Sequence, residues 1–197
     1  MSSAEATDTR SRILEAARRL LVDGAGAATR MSDIAKAAGV SRQAVYLHFE
    51  SRAALLIAVT KHMDAVLGVQ ERLKPTRAAR NGEDRVKAFV AFWGAYVPEI
   101  YTVARALMAM RDSDAAAREA WDGRMAAVRE GCAAAIAALE REGRLRPNWT
   151  LTTATDLFWA MLSVPVWEQL TQGCGWSSTD YIERIQTQAL ATFATPG

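Results

Sequence analysis

An all-α fold of about nine helices is predicted by three features of this 197-residue chain. β-Branched residues never alternate with polar ones over a useful length. Ala, Arg, Leu and Glu dominate at three- and four-residue spacing, and helix start and stop signals punctuate the apolar stripes. The hydrophobic fraction of 50% is enough to fill the core of one or two small domains.

The first helix is predicted from about Arg10 to Asp23, with Ile13, Leu14, Ala17, Leu20 and Leu21 as its stripe, Thr9 as N-cap and Gly24 as stop. Arg12, Arg18 and Arg19 fall on its other face. A second helix spans about Met31 to Ala38, with Ile34, Ala35 and Ala38 inward, and ends at Gly39 because glycine enters the left-handed region without a Cβ penalty. Val40 plugs the corner. Ser41 caps a third, short helix from Arg42 to His48, anchored by Val45 and Phe49, and Ser51 caps a fourth that continues to about Lys74.

The polar stretch "KPTRAARNGEDR", from Lys74 to Arg85, contains Pro75 and Gly82 and reads as a separator. Beyond it Val86, Phe89, Val90, Trp93 and Val97 mark a fifth helix, apolar on several sides. Pro98 starts or kinks the next, which carries Ile100, Tyr101, Val103, Leu107, Met108 and Met110. After "RDSD", a helix bearing Trp121, Met125, Val128, Cys132, Ile136 and Leu139 runs until Gly143 and Pro147. A helix from about Thr150 to Thr171 is expected to kink at Pro165, and Ser177 or Ser178 caps a last one with Ile182, Ile185, Ala189 and Phe193 on one side.

Charge and composition narrow the function. Net charge is +2, but residues 1–62 carry nine Lys/Arg against six Asp/Glu while residues 63–197 carry fifteen against sixteen, so the positive excess is N-terminal and fits an anionic partner. No apolar run reaches the roughly 18 residues that span a bilayer, and "MSSAEATDTRSR" lacks the apolar core of a signal peptide, which predicts a cytoplasmic protein without a membrane partner. Two cysteines without paired spacing suit a reducing compartment. Only His48 and His62 are present, with no cysteine nearby, which speaks against zinc. No paired carboxylates, activated nucleophile or phosphate-binding glycine loop supports catalysis, so the chain is expected not to be an enzyme and to need no cofactor.

Two helices joined at "AAGVS", the second presenting short polar and aromatic side chains outward, form a helix-turn-helix whose second helix fits the major groove. The stretch "RILEAARRLLVDGAGAATRMSDIAKAAGVSRQAVYLHFESRAALL", Arg12 to Leu56, resembles the TetR family of bacterial transcriptional regulators. The match lies at Ile13, Ala16, Ala17, Leu20, Gly24, Thr29, Ile34, Ala35, Ala38, Gly39, Val40, Ser41, Tyr46, His48, Phe49, Ser51 and Leu55. The resemblance implies a DNA-binding domain over residues 1–62 and an effector-binding and dimerisation domain over 63–197. It assigns Tyr46, His48 and Arg52 to the phosphate backbone, roles that a phenol, an imidazole and a guanidinium can fill without reading sequence.

Arg42, Gln43 and Ala44, on the first exposed turn, are the expected base readers: Arg pairs with guanine, Gln with adenine, and a methyl meets thymine. Ser32 and Ser41, near the starts of the two helices, complete the set with Arg30. Arg30 stands where many family members have a Thr or Ser cap, which leaves the cap of the second helix unassigned. Ala54 replaces the acidic partner that often completes a capping box with Ser51.

The resemblance further implies a small-molecule effector enclosed in the C-terminal domain, with Trp93, Tyr96, Met108 and Phe158 as expected contacts against a background of ordinary core packing. Arg105 is open to two readings, an anchor for an anionic ligand or half of a salt bridge. Leu162, Val166, Leu170, Ile182, Ile185, Ala189 and Phe193, on the last two helices, are the expected homodimer surface. Two recognition helices in such a dimer would meet a palindromic double-stranded operator. The expected function is a ligand-responsive regulator, a repressor released by its effector; the alternative is a helical small-molecule-binding protein or enzyme whose N-terminal unit no longer binds DNA.

Overall fold

The structure is a computed structural model that describes residues 3–25 and 30–196. Among the described residues, eleven α-helical segments contribute to two compact units, Met1–Gly68 with Ile100–Arg124, and Val69–Glu99 with Met125–Gly197, and two of the segments have residues in both. No strand is present among the described residues, and the one β-bridge pairs Leu145 with Ala194.

In the first unit, α1 spans Ser3–Leu20 and continues as a π-helical turn, Leu21–Ala25. Its start precedes the expected one, over a stretch in which Ala4, Glu5 and Ala6 are good helix formers. Thr9 therefore lies inside the helix, and Gly24 sits in the π turn rather than ending it. Thr29 lies outside the described residues. Ile13, Leu14, Ala16, Ala17 and Leu21 are buried, while Leu20 is half-buried.

Helix α2, Met31–Ala38, buries Met31, Ile34, Ala35 and Ala38; α3 is Arg42–His48; α4 is Arg52–Val66, with Leu55, Leu56, Val59 and Met63 buried. Instead of running to Lys74, α4 stops where Gly68 takes φ +61, after which α5, Val69–Arg72, and α6, Lys74–Arg77, follow as single turns. A residue without a Cβ enters that conformation freely, so the break sits at the glycine rather than at Pro75.

Helix α7, Gly82–Met110, continues as helix past Pro98 instead of starting anew there. One missing backbone hydrogen bond does not outweigh the burial of Trp93, Val97, Val103 and Leu107 on either side of it. Helix α8, Ala115–Arg141, is capped by Asp114, whose Oδ1 accepts from the amides of Ala116 at 3.0 Å and Ala117 at 3.3 Å.

The second unit is completed by α9, Leu151–Met161, α10, Val164–Glu168 with a π-helical turn through Gly173, and α11, Ser178–Phe193. The expected single helix with a kink is instead two. Ser163 adopts an extended conformation and caps α10, and Pro165 sits in its first turn, where no amide donor is needed. Gly82 meets α8 so closely that a Cβ there would lie 2.6 Å from the Leu139 amide nitrogen. The end of α11 is stapled by Arg146 Nε to Ala194 O at 2.8 Å and Trp149 Nε1 to Thr192 O at 2.9 Å.

Candidate nucleic-acid interface

The corner between α2 and α3 is built by backbone. Gly39 takes φ +65 and ψ +37, its N–H donates to Lys36 O at 3.2 Å, and Val40 N–H donates to Ala35 O at 3.0 Å, which closes α2 in a left-handed cap. From α1, Arg12 Nη2 donates to Ala38 O at 2.7 Å, so an arginine expected on the outer face satisfies an α2 terminal carbonyl instead. Ser41 Oγ accepts from Ala44 N–H at 3.1 Å and starts α3. The missing α2 cap is supplied from below: Arg30 holds the extended N-cap position and its amide donates to the Asp33 carboxylate at 3.0 Å.

Helix α3 is too short for more than two inward anchors, and these are Val45 and Phe49, 0% and 3% exposed. Everything else faces out or along the rim. Arg42 and Gln43 are exposed, Ala44 and His48 half-buried, Tyr46 exposed. The Arg42 guanidinium lies 5.6 Å from the Tyr46 ring centroid, which orients two of the expected contacts against each other. The α1 residue Arg10 stacks over Phe49 at 5.1 Å. Arg30 and Ser32 are exposed at the start of α2, and the segment from Arg42 to His48 carries no carboxylate, so this face offers donors and cations to an anion.

One residue of this surface escaped the sequence reading. Leu47 is 79% exposed, the most open large apolar side chain of the described chain. Because Val45 and Phe49 are four residues apart on the inner face, the position midway between them must point outward, a signal present in the spacing. Arg52 is less free than expected: it pairs with Asp114, and its Nη2 lies 2.8 Å from Met110 Sδ. His62 is half-buried beside Arg10, His48, Phe49 and Lys61 in a cleft of about 610 Å³. Among the described residues no group of three or more His, Cys, Asp or Glu could hold a metal ion.

The four expected effector contacts are divided between the two units. Trp93, Tyr96 and Phe158 belong to the second unit and are buried, whereas Met108 is half-buried in the first. Trp93 and Tyr96 are neighbours, with centroids 6.3 Å apart, and Phe92 stacks on Tyr96 at 5.4 Å. Phe158 instead joins Phe89 and Phe193 in edge-on contacts at 6.3 and 5.8 Å. Trp93 Nε1 and Tyr181 Oη are buried against each other, the indole N–H facing the phenol oxygen, and burial pushes the Tyr181 phenol above its ordinary range although that contact opposes the rise. Arg105 is exposed.

The expected dimer surface needs a correction: Leu162, Ile185, Ala189 and Phe193 are buried within the chain itself, leaving Val166, Leu170 and Ile182 half-exposed.

Residues 13–59 match the sequence profile of "Bacterial regulatory proteins, tetR family". Over 55 residues the chain is 46% identical to the HTH-type transcriptional regulator TtgR of Pseudomonas putida, a match covering 28% of this chain and 26% of that relative. The aligned segment thus spans about a quarter of the relative's length. Two solved structures extend the likeness in fold over more than nine-tenths of the chain. A transcriptional regulator from Saccharomonospora viridis in complex with choline superposes with a TM-score of 0.78, at 16% identity, over 96% of this chain and 100% of that one. The regulator FadR from Bacillus subtilis in complex with stearoyl-CoA gives 0.76, at 12% identity, over 92% and 98%. Over residues 13–59, this chain is thus similar to the TetR family of bacterial regulatory proteins.

Proposed function

We propose that the chain is a ligand-responsive, DNA-binding transcriptional repressor whose α2–α3 unit, within residues 1–62, grips an operator and whose residues 63–197 bind an effector and dimerise. The observation that carries this reading is the outward face of α3, where Arg42, Gln43, Tyr46 and Leu47 are exposed on a rigidly capped corner without serving the core. Arg42, Gln43 and Ala44 read base edges, with Leu47 adding apolar contact to a thymine methyl; Arg30, Ser32, Ser41, Tyr46, His48 and Arg52 hold phosphate. Such a protein works where chromosomal DNA is, which places it in the cytoplasm.

The effector reading is supported by two polar groups, Trp93 Nε1 and Tyr181 Oη, that face each other inside an apolar region, where the phenol O–H is left to donate to an acceptor on a bound molecule. Trp93, Tyr96 and Phe158 supply apolar wall, and Met108 is the fourth proposed contact. Choline and stearoyl-CoA, found in two proteins of like fold, show how different such occupants are. Homodimerisation through the last two helices uses the half-exposed Val166, Leu170 and Ile182. Two α3 helices would then enter major grooves about 34 Å apart or somewhat further.

Selection of bound sites from random duplex DNA tests the reading directly: a palindromic consensus is expected, and recovery of no sequence preference would sink it. Arg42→Ala or Gln43→Ala should change that consensus, whereas Tyr46→Ala should weaken binding to most sequences alike. Effector and operator must weaken each other by the same factor, so equal ligand affinity with and without operator would exclude induction.

A further inference from the structure

Helix α4 is tied near both ends to residues 110–124 by ion pairs of opposite sense, all within the first unit. At its first residue, Arg52 pairs with Asp114; near its last turn, Asp64 receives the fork of Arg124, with Nη2 to Oδ1 at 2.8 Å. All four side chains are only 24–26% exposed. Arg52 and Asp64 stand about 18 Å apart along α4, and Asp114 and Arg124 about 15 Å apart at the start of α8, at 1.5 Å rise per residue. The two pairs therefore set the register of α4 against α8.

Asp114 has a second task. Its Oδ1 caps α8 through the amides of Ala116 and Ala117, while Oδ2 meets Arg52. One carboxylate thus joins the start of α8 to the residue that opens α4, just beyond the recognition helix. We propose that Asp114 is a latch on the DNA-binding surface: it holds the Arg52 guanidinium, and DNA must displace it before that cation can meet phosphate. This rests on the DNA-binding reading above.

Phosphate and carboxylate offer guanidinium the same charge-assisted geometry, so opening the latch exchanges one anion for another. A partly exposed pair is worth little net free energy, so the exchange lies near balance. Any movement of α8 relative to α4 then alters how much of the Arg52 charge is available to DNA. Asp114 acts through Arg52 and is a positioning residue.

The test is anisotropy titration of the full chain against a mixed-sequence duplex of about 30 base pairs over a KCl series, since phosphate contacts are independent of sequence. Asp114→Asn, which keeps a good N-cap, should bind about three- to tenfold tighter at low salt and steepen the log–log salt slope by about 0.9, one phosphate contact. Arg52→Ala should cost more affinity in the Asp114→Asn background than in the wild type. Arg124→Gln opens the other tie, leaves Asp114 in place and should leave the slope unchanged. Asp114→Ser serves if thermal melts show Asp114→Asn to be unfolded. An unchanged or shallower slope in the folded Asp114 variant, or equal steepening in Arg124→Gln, overturns the latch. A wild-type chain without salt-dependent duplex binding instead overturns the DNA-binding reading, and does so before any variant is made.

Discussion

On α3 of the first unit, Tyr46 and Leu47 stand 42% and 79% exposed, whereas Trp93, Tyr96, Phe158 and Tyr181 of the second unit are all below 4%. Side chains of similar chemistry thus carry different information in the two places. An aromatic or aliphatic group on the surface of a capped helix contributes little to folding, so it is available to a partner without cost to the core. A buried one fills space whether or not a ligand touches it. That is why exposure supports the DNA contacts proposed on α3 side chain by side chain, while burial alone does not separate the proposed effector contacts from core packing.

Four changes sharpen or break this contrast. The largest effect is expected at Phe158→Ala, which removes a fully buried ring packed on Phe89 and Phe193; thermal or urea unfolding of the ligand-free protein should show a loss of about 3–5 kcal/mol. A loss below about 1 kcal/mol would mean that Phe158 lines an open space rather than a packed one. Gly82→Ala follows, because its Cβ would press on the Leu139 backbone at 2.6 Å; overpacking of about 1–3 kcal/mol is expected in the same assay.

Ser41→Ala removes the cap of α3 and should cost about 1 kcal/mol. Duplex affinity should fall with it, since the same hydroxyl sets the pitch of the reading face; stability loss with intact affinity would separate cap from contact surface. The smallest stability effect belongs to Leu47→Ala, within about 0.5 kcal/mol by denaturant titration. Its duplex selection profile should nevertheless lose preference for thymine at one position, and a measurable stability loss would show that Leu47 packs on the chain after all.

The two cysteines extend the contrast to chemistry. Burial pushes the Cys132 thiol far above its ordinary range, while Cys174 is exposed. Iodoacetamide near pH 8 should label Cys174 in the native protein and reach Cys132 only after unfolding, because the thiolate is the nucleophile. Rapid native labelling of Cys132 would reveal an opening in the second unit.

Much of the first unit was legible in the residues. Met31–Ala38 and Arg42–His48 have their predicted limits, and Gly39, Ser41 and Ser51 perform their predicted turn and capping tasks, because each acts on backbone within a few residues of itself. Missed features depend on partners distant in sequence: Arg12 on the end of α2, Arg52 on Asp114, and the continuation of α7 through Pro98. Propensity ranks a proline as a boundary; burial on both sides of it decides otherwise. In the second unit the apolar positions were identified, but not which of them face inward, so Leu162, Ile185, Ala189 and Phe193 moved from an expected interface into the core.

The sequence alone therefore determined the helical class, the helix-turn-helix corner and its outward residues apart from Leu47, since periodicity, capping and glycine conformation are local properties. Only the tertiary structure decided which buried polar groups meet, as Trp93 and Tyr181 do, which stripe is used up inside the chain and which carboxylate holds Arg52. Those depend on residues brought together from across the chain, and no spacing rule encodes such encounters.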